Sequence, residues 1–422
     1  MSAIADWDWE IGAKNIANTE DWSTQFNWIE EIQVSPDGET AACIVNIDEG
    51  EFNVCVNGQK WREDPFDKIW LLRFSPDGRL TAIVSEMGEW TLAIDGEPWT
   101  NTFGYLWQPM FSKDGKVIAA AFQNDMKYGI VVDDNPWENT FSNMTCPTMN
   151  ASGSSCGAAV QTVETGQGEI FTFQKGSYSV AQDGAVWDKN FVNVWDMAIS
   201  DDGKTLAAEV RHTLYDYTIA VNGIPWKTIF NCVWRPIIHP KTGAVLAPVR
   251  MNGKWTLAQD GNRHWGGQFD QLFDPRVLPD GKHIAAIVAP DFGKWTIAFD
   301  SVPWKVCVDE MVTDLVINDS GSRIVALGKD HGQWLVLENG KIWNTKFNRA
   351  WKPECSPNGQ YVALKVEKNG KYSLAVNDCL WNESFQAIWG PVFSQDSTKI
   401  LCCTLDNGKI DRRVIPVKSI LK

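Results

Sequence analysis

The sequence predicts an all-β fold, a β-propeller of ten four-stranded blades of about 39 residues each, because three markers recur in phase along it. The first marker is a tryptophan followed four positions later by a phenylalanine. The second is a turn of the type Ser-Pro-Asp-Gly, and the third is a short strand that ends in Asp-Gly or a similar pair. At 422 residues the chain is too long for one ordinary hydrophobic core, which also favours a repeat array.

The tryptophan marker defines the period of the repeat. Ten tryptophans follow one another at spacings of 39, 38, 38, 50, 39, 39, 39, 39 and 38 residues. They are the structural repeat residues Trp22, Trp61, Trp99, Trp137, Trp187, Trp226, Trp265, Trp304, Trp343 and Trp381. Residues i, i+4 and i+8 of an extended strand share a face, and Trp99, Phe103 and Trp107 hold that spacing. We therefore expect ladders of aromatic side chains to pack between the blades and to replace a conventional core.

One repeat divides into four strands. In the second repeat, Pro76-Asp77-Gly78 and Asp95-Gly96 have the composition of tight turns. The segments around them are short and apolar, with no helical periodicity. This pattern predicts strands at Ile69–Ser75, Leu80–Ser85, Trp90–Ile94 and Glu97–Phe103.

The two ends of the chain are complementary. Trp22 and Phe26 form an outer-strand marker with no blade before them, whereas the last two strands, Leu401–Leu405 and Lys409–Val417, are followed by no such marker. The N-terminal segment is therefore predicted to complete the tenth blade, which removes free sheet edges. The alternative is two five-bladed rings, but the even spacing across the middle of the sequence favours a single domain of residues 1–422.

The repeat is interrupted once, by the spacing of 50 residues between Trp137 and Trp187. The extra residues lie near 163–175, between two strands of the fourth blade. One interpretation is a tolerated long hairpin. The other is an interaction loop, with Glu164, Gln167 and Glu169 as its candidate contact residues.

Composition and motifs point away from several classes of function. The net charge of −15 disfavours nucleic acid and anionic membranes as partners. The acidic, interrupted start and the absence of a long apolar run predict a cytoplasmic protein without a membrane span. The ten cysteines form no C-x-x-C pair, and the five histidines fall at different phases of the repeat, so we expect reduced cysteines and no metal site.

The sequence also contains no nucleophile elbow, phosphate-binding loop or zinc-protease motif, so no catalytic or cofactor-binding residue is predicted. One set of polar residues precedes the hairpin glycines and is explained by turn chemistry; it comprises Asp95, Asp183, Asn222, Asp260 and Asn339.

The Ser-Pro-Asp-Gly turns followed by Ala-Ala-x-Val strands resemble the WD40-like and TolB-like propeller families. The Trp-x-x-x-Phe repeats and the tryptophan richness are more similar to the TmcD family, the tryptophan-rich subunits of the transmembrane Tmc redox complexes of sulfate-reducing bacteria. This resemblance implies a cytoplasmic subunit beside a membrane cytochrome, an iron–sulfur protein and a periplasmic multihaem cytochrome, with no redox centre of its own.

The predicted function is therefore a non-catalytic accessory or scaffold subunit of a membrane-associated electron-transfer complex, which acts by protein–protein interaction and is held at the inner membrane by its partners. The alternative is a propeller enzyme or small-ligand sensor that uses the central channel.

Overall fold

The computed structural model describes residues 4–164, 166 and 168–421. It is an all-β structure of ten four-stranded antiparallel blades, a β-propeller, which confirms the predicted fold class. In the described residues, helix is limited to Thr19–Gln25, Ile170–Lys175, Val417–Ile420 and one 3₁₀ turn at Ile4–Asp6. The chain divides into two compact units of five blades each.

The first unit consists of residues 1–100 and 308–422 and holds blades 1, 2, 8, 9 and 10 in chain order. In order from the first to the fourth strand, blade 1 contains Trp28–Val34, Ala41–Asp48, Glu51–Val56 and Gln59–Lys60. Blade 2 contains Lys68–Phe74, Leu80–Glu86, Glu89–Ile94 and Glu97–Pro98. Blade 8 contains Met311–Ile317, Ile324–Asp330, Gln333–Glu338 and Lys341–Ile342. The first strand of blade 9 is interrupted (Arg349–Ala350 and Glu354–Cys355) and is followed by Val362–Lys368, Lys371–Val376 and Cys379–Leu380. Blade 10 contains Ala387–Phe393, Lys399–Asp406, Lys409–Pro416 and, from the N-terminal segment, Gly12–Asn18.

The second unit, residues 101–307, holds blades 3 to 7. Blade 3 contains Tyr105–Phe111, Ile118–Asn124, Lys127–Val132 and Asn135–Pro136. Blade 4 contains Met144–Met149, Cys156–Gln161, Tyr178–Gln182 and Ala185–Val186, and blade 5 contains Asn193–Ile199, Leu206–Arg211, Tyr217–Val221 and Ile224–Pro225. The first strand of blade 6 is interrupted (Cys232–Val233 and Ile237–Ile238) and is followed by Val245–Met251, Lys254–Gln259 and Asn262–Arg263. Blade 7 contains Gln271–Val277, Ile284–Asp291, Lys294–Phe299 and Val302–Pro303.

The N-terminal strand completes the last blade, as predicted. Gly12–Asn18 pairs antiparallel with Lys409–Pro416, in a register that places Gly12 opposite Val414 and Asn18 opposite Lys409. The two units are therefore not successive halves of the chain, which is what two five-bladed rings in series would require, because the first unit combines both chain ends.

The fourth strand of each blade is shorter than predicted. In blade 2 only Glu97–Pro98 pairs with the third strand, and the Trp99 amide then donates to the Leu92 carbonyl at 2.8 Å. The marker phenylalanine next forms an isolated bridge to the start of the third strand, as Phe141 does with Tyr128 in blade 3. Because the chain bends between the marker tryptophan and phenylalanine, the expectation that these residues and the next tryptophan share one extended strand is wrong.

In five blades the preceding marker tryptophan packs against the glycine of the turn between the third and fourth strands, which agrees with the common phase of the two markers. Gly96 has a φ of +91°, and a Cβ atom there would lie 2.9 Å from the Trp61 carbonyl oxygen. At Gly223 the corresponding atom would lie 3.4 Å from the Trp187 side chain. At Gly96 glycine suits both the left-handed conformation and the close approach of the preceding segment. The repeat thus couples neighbouring blades.

The Asp or Asn that begins the turn between the third and fourth strands has a structural role. The Asp95 carboxylate accepts a hydrogen bond of 2.8 Å from the Leu80 amide, at the start of the second strand. The other members of the predicted set bond in the same way, in the pairs Asp183–Cys156, Asn222–Leu206, Asp260–Val245 and Asn339–Ile324. These side chains hold the turn between the third and fourth strands against the start of the second strand, which agrees with their interpretation as turn residues.

Candidate functional site

Each blade has two ends, which differ in the connections they carry. One end carries the hairpin between the second and third strands together with the start of the first strand, and we call the surface formed by these ends the hairpin face. The other end carries the turns between the first and second strands and between the third and fourth strands, and we call it the turn face. Successive blades of one unit share hydrophobic cores and are built alike, so their hairpins lie on the same side of that unit.

The hairpin face of the second unit is rich in exposed apolar side chains. Met126 is 78% exposed, Tyr215 82% and Phe292 96%, and each lies in the hairpin of a different blade. Phe171 of the blade 4 insertion is 80% exposed, and Tyr105, Ile170 and Ile229 are also exposed on this face. On the turn face of the same unit, the exposed large apolar residues among those described are Ile224 and Val302.

The fold does not require apolar residues at these hairpin tips. The equivalent hairpins of blades 6, 9 and 10 carry the polar residues Asn252, Asn369 and Asn407. These asparagines adopt positive φ angles of 52°, 53° and 46°, which suits a tight turn. Met126 takes the position of the glycine that follows Asn252 in blade 6, with a positive φ of 61°, so the turn itself gives no reason for a large apolar side chain there. A cluster of exposed Met, Phe, Tyr and Ile side chains is typical of a surface that binds another protein.

The blade 4 insertion lies on this same face. It includes the helix Ile170–Lys175, which has no buried residue. Of the predicted contact residues, Glu164 forms an ion pair of 3.1 Å with Lys127 in the hairpin of blade 3, so the insertion contacts its neighbour. Glu169 is exposed and precedes the helix, where its backbone carbonyl accepts from the Phe173 amide at 3.1 Å. Gln167 lies outside the described residues.

The hairpin face of the first unit is less apolar. Met87, at the hairpin tip of blade 2, is fully exposed, and Trp28, Trp70 and Met311 are each about 40% exposed at the starts of first strands. The remaining hairpins of this unit end in polar residues or glycine, such as His331 in blade 8. The second unit therefore carries the larger apolar surface.

The predicted repeat tryptophans contribute to the cores and not to this surface. Trp22, Trp137, Trp265, Trp343 and Trp381 are buried, and Trp61, Trp99, Trp187, Trp226 and Trp304 are half-buried. The aromatic residues of the first strands stack within their own blade, as Trp234 does on Trp255 with ring centroids 5.1 Å apart.

One group of side chains has the composition of a metal site. The Asp309, Asp330 and His331 ligand atoms lie within 4.8 Å of one another, in the first unit. However, His331 Nδ1 is already 3.1 Å from an Asp330 oxygen, and Lys346 Nζ is 3.9 Å from the same carboxylate. The hydrogen bond to Asp330 and the charge of Asp309 raise the pKa of His331. Each group thus has a partner of opposite charge, and we assign no metal to this exposed cluster.

A buried carboxyl group lies in the second strand of blade 5. Glu209 is only 6% exposed and has Ile219 opposite it in the third strand. Burial, and to a smaller extent the nearby Asp196 carboxylate, raises the pKa of Glu209 to about 8. Much of the Glu209 population is therefore protonated at neutral pH.

Comparisons with known proteins add little about function. No protein-family model matches the chain, and no curated protein matches it. Among solved structures, the crystal structure of the eukaryotic initiation factor is similar over 90% of this chain and 97% of that one, with 13% sequence identity and a TM-score of 0.47. In the described part of the chain, no helix is both long enough and apolar enough to cross a bilayer.

Proposed function

We propose that this chain is a non-catalytic scaffold subunit that binds a protein partner through the hairpin face of its second unit. The observation that carries the proposal is the concentration of exposed Met126, Phe171, Tyr215 and Phe292 on one face of the second unit, in hairpin tips and in the blade 4 insertion. Apolar and aromatic side chains of this kind supply most of the binding energy when they are buried in an interface.

A protein partner fits this face better than a membrane does. The chain has a net charge of −15, and Glu164, Glu169 and Asp125 lie among the apolar side chains. Carboxylates would be repelled by an anionic membrane surface, whereas a protein interface accommodates them at its rim.

The resemblance of the Trp-x-x-x-Phe repeats to the TmcD family supports a more specific proposal. The partners would be subunits of a membrane-associated redox complex, a membrane cytochrome and an iron–sulfur protein. The chain would lie on the cytoplasmic side, held at the membrane by these subunits and without a redox centre of its own.

An affinity capture tests this assignment. The tagged full-length chain is expressed in its native host, membranes are solubilised gently, and the captured proteins are identified by mass spectrometry. We expect a membrane cytochrome and an iron–sulfur protein, and an excess of untagged chain added before capture should displace both. Recovery of the tagged chain alone, or of proteins that the untagged chain does not displace, would contradict the proposal.

A further inference from the structure

One position of the blade is apolar in eight blades and ionisable in two. It is the residue of the second strand that pairs with the centre of the third strand, as Ile44 does with Val54 in blade 1, Glu209 with Ile219 in blade 5 and Lys365 with Leu374 in blade 9. The apolar members are Ile44, Ile83, Ala121, Ala159, Pro248, Ile287, Leu327 and Cys403. The two exceptions are Glu209 in blade 5 and Lys365 in blade 9, whose carbonyl accepts from the Trp351 amide at 3.0 Å. Because the fold accepts an apolar residue at this position in eight blades, the two ionisable residues indicate a local role other than folding.

Lys365 lies between two aromatic rings. Its ammonium nitrogen is 4.6 Å from the centroid of the Trp351 ring and 4.9 Å from that of Tyr372. The side chain is half-buried, and the loss of water lowers the pKa of its ammonium group. Within the part of the chain that the structure describes, this ammonium has neither an ion pair nor a hydrogen bond to a side chain. Two rings stabilise the charge, but no carboxylate neutralises it.

A cavity of about 330 Å³ lies beside Lys365, within the first unit. Its lining brings Lys352 next to Lys365, and the indoles of Trp351 and Trp389 form part of the wall. Gly390, Pro391 and one carboxylate, Glu354, also line the cavity. The cavity thus combines two cations, two large aromatic surfaces and a single anion.

We propose that this cavity binds a small aromatic anion, a planar ring that carries a carboxylate or phosphate group. The ring would stack on an indole, and the anionic group would neutralise Lys365 and Lys352, whose two positive charges exceed the single charge of Glu354. The volume is at the lower end of the range for small-molecule sites, which suits a single ring. The site is independent of the hairpin face and does not depend on the proposed scaffold function.

Isothermal titration of the full-length chain with phenyl phosphate tests this proposal, with phenol as the neutral analogue. We expect phenyl phosphate to bind and phenol to bind at least tenfold more weakly. Lys365→Met keeps the aliphatic stem between the rings but removes the charge, and it should weaken phenyl phosphate binding at least tenfold. Lys368→Met, a change at an exposed lysine of the same strand, should have less than a twofold effect.

Lys365→Arg guards against a folding artefact, because it retains the charge between the rings and should retain binding within about threefold. Absence of phenyl phosphate binding to the wild-type chain at millimolar concentration would overturn the proposal. So would equal binding of phenol, or unchanged binding to a folded Lys365→Met variant. None of these results would affect the capture of protein partners, so the two proposals fail separately.

Discussion

The buried carboxyl group of Glu209 makes the stability of the second unit depend on pH in a predictable direction. Its pKa is raised from 4.5 to about 8 in the folded chain. Between these pH values the folded state holds a proton that the unfolded state has lost. The free energy of unfolding must therefore fall as the pH rises from about 4.5 to about 8.

The substitution Glu209→Gln removes this dependence, because the amide has the same shape and cannot ionise. One pKa unit corresponds to about 1.4 kcal/mol, so the full shift sets an upper bound of about 5 kcal/mol on the gain above pH 8. Because the surroundings of a buried charge relax and admit water, we expect a gain below this bound, about 2–4 kcal/mol at pH 9 and close to none at pH 5.

Urea unfolding of the wild-type and Glu209→Gln chains at pH 5, 7 and 9 measures this difference. Glu97→Gln serves as the control, because Glu97 is exposed in the fourth strand of blade 2, and it should not change the pH profile. An equal effect of Glu209→Gln at pH 5 and pH 9, or a loss of stability at pH 9, would show that ionisation of the buried Glu209 carboxyl does not destabilise the fold.

Two further predictions concern the coupling of blades and the closure of the chain. In blade 2, Gly88 lies in the hairpin between the second and third strands, with a φ of +85°, and Gly96 lies in the turn between the third and fourth strands, with a φ of +91°. A Cβ atom at Gly88 would meet nothing within 4 Å, whereas one at Gly96 would meet the Trp61 carbonyl. Gly88→Ala should therefore lower the free energy of unfolding by about 1 kcal/mol, and Gly96→Ala should lower it by at least ~1 kcal/mol more, as measured by urea unfolding. Equal decreases would contradict the packing of the marker tryptophan on the next blade. Arg412 is buried and bonds Glu39 at 3.0 Å and the Asp37 carbonyl at 2.9 Å, whereas Lys14 contacts the same Glu39 from an exposed position. Arg412→Met should lower the free energy of unfolding by about 2–4 kcal/mol and speed proteolysis of the N-terminal segment. Lys14→Met should lower the free energy of unfolding by less than ~1 kcal/mol. A similar small effect of both variants would show that Arg412 does not hold the N-terminal segment in place.

Much of the fold could be predicted because each repeat marker has a local physical cause. The Asp-Gly pairs fix hairpins, and the spacing of the tryptophans reports the length of a blade. The extent of the fourth strand could not be predicted in the same way. Trp187 and Phe191 are compatible with one extended strand in isolation, but the chain bends between them where Trp187 packs against Gly223 of the next blade.

The candidate surface could be predicted only in part. The insertion was visible as a break in spacing, and it lies on the hairpin face. Met126, Tyr215 and Phe292 were missed, because a single apolar residue in a hairpin is unremarkable until the blades are placed side by side. Part of the signal is present in the sequence, since Phe292 occupies the position that is Asn252 in blade 6 and Met126 the position that is Gly253.

The most direct test of the central proposal compares capture of the partner by two surface variants of the full-length chain. One variant replaces Met126, Phe171, Tyr215 and Phe292 by serine, and the control replaces Ile224 and Val302 of the turn face by serine. All six side chains are exposed, so both variants should fold, which circular dichroism and thermal unfolding can verify.

A binding interface on the hairpin face predicts that the control recovers the same partner proteins as the wild-type chain and that the hairpin-face variant recovers at least ~10-fold less of them. Equal recovery by the hairpin-face variant, or loss of the partners from the turn-face control, would contradict it.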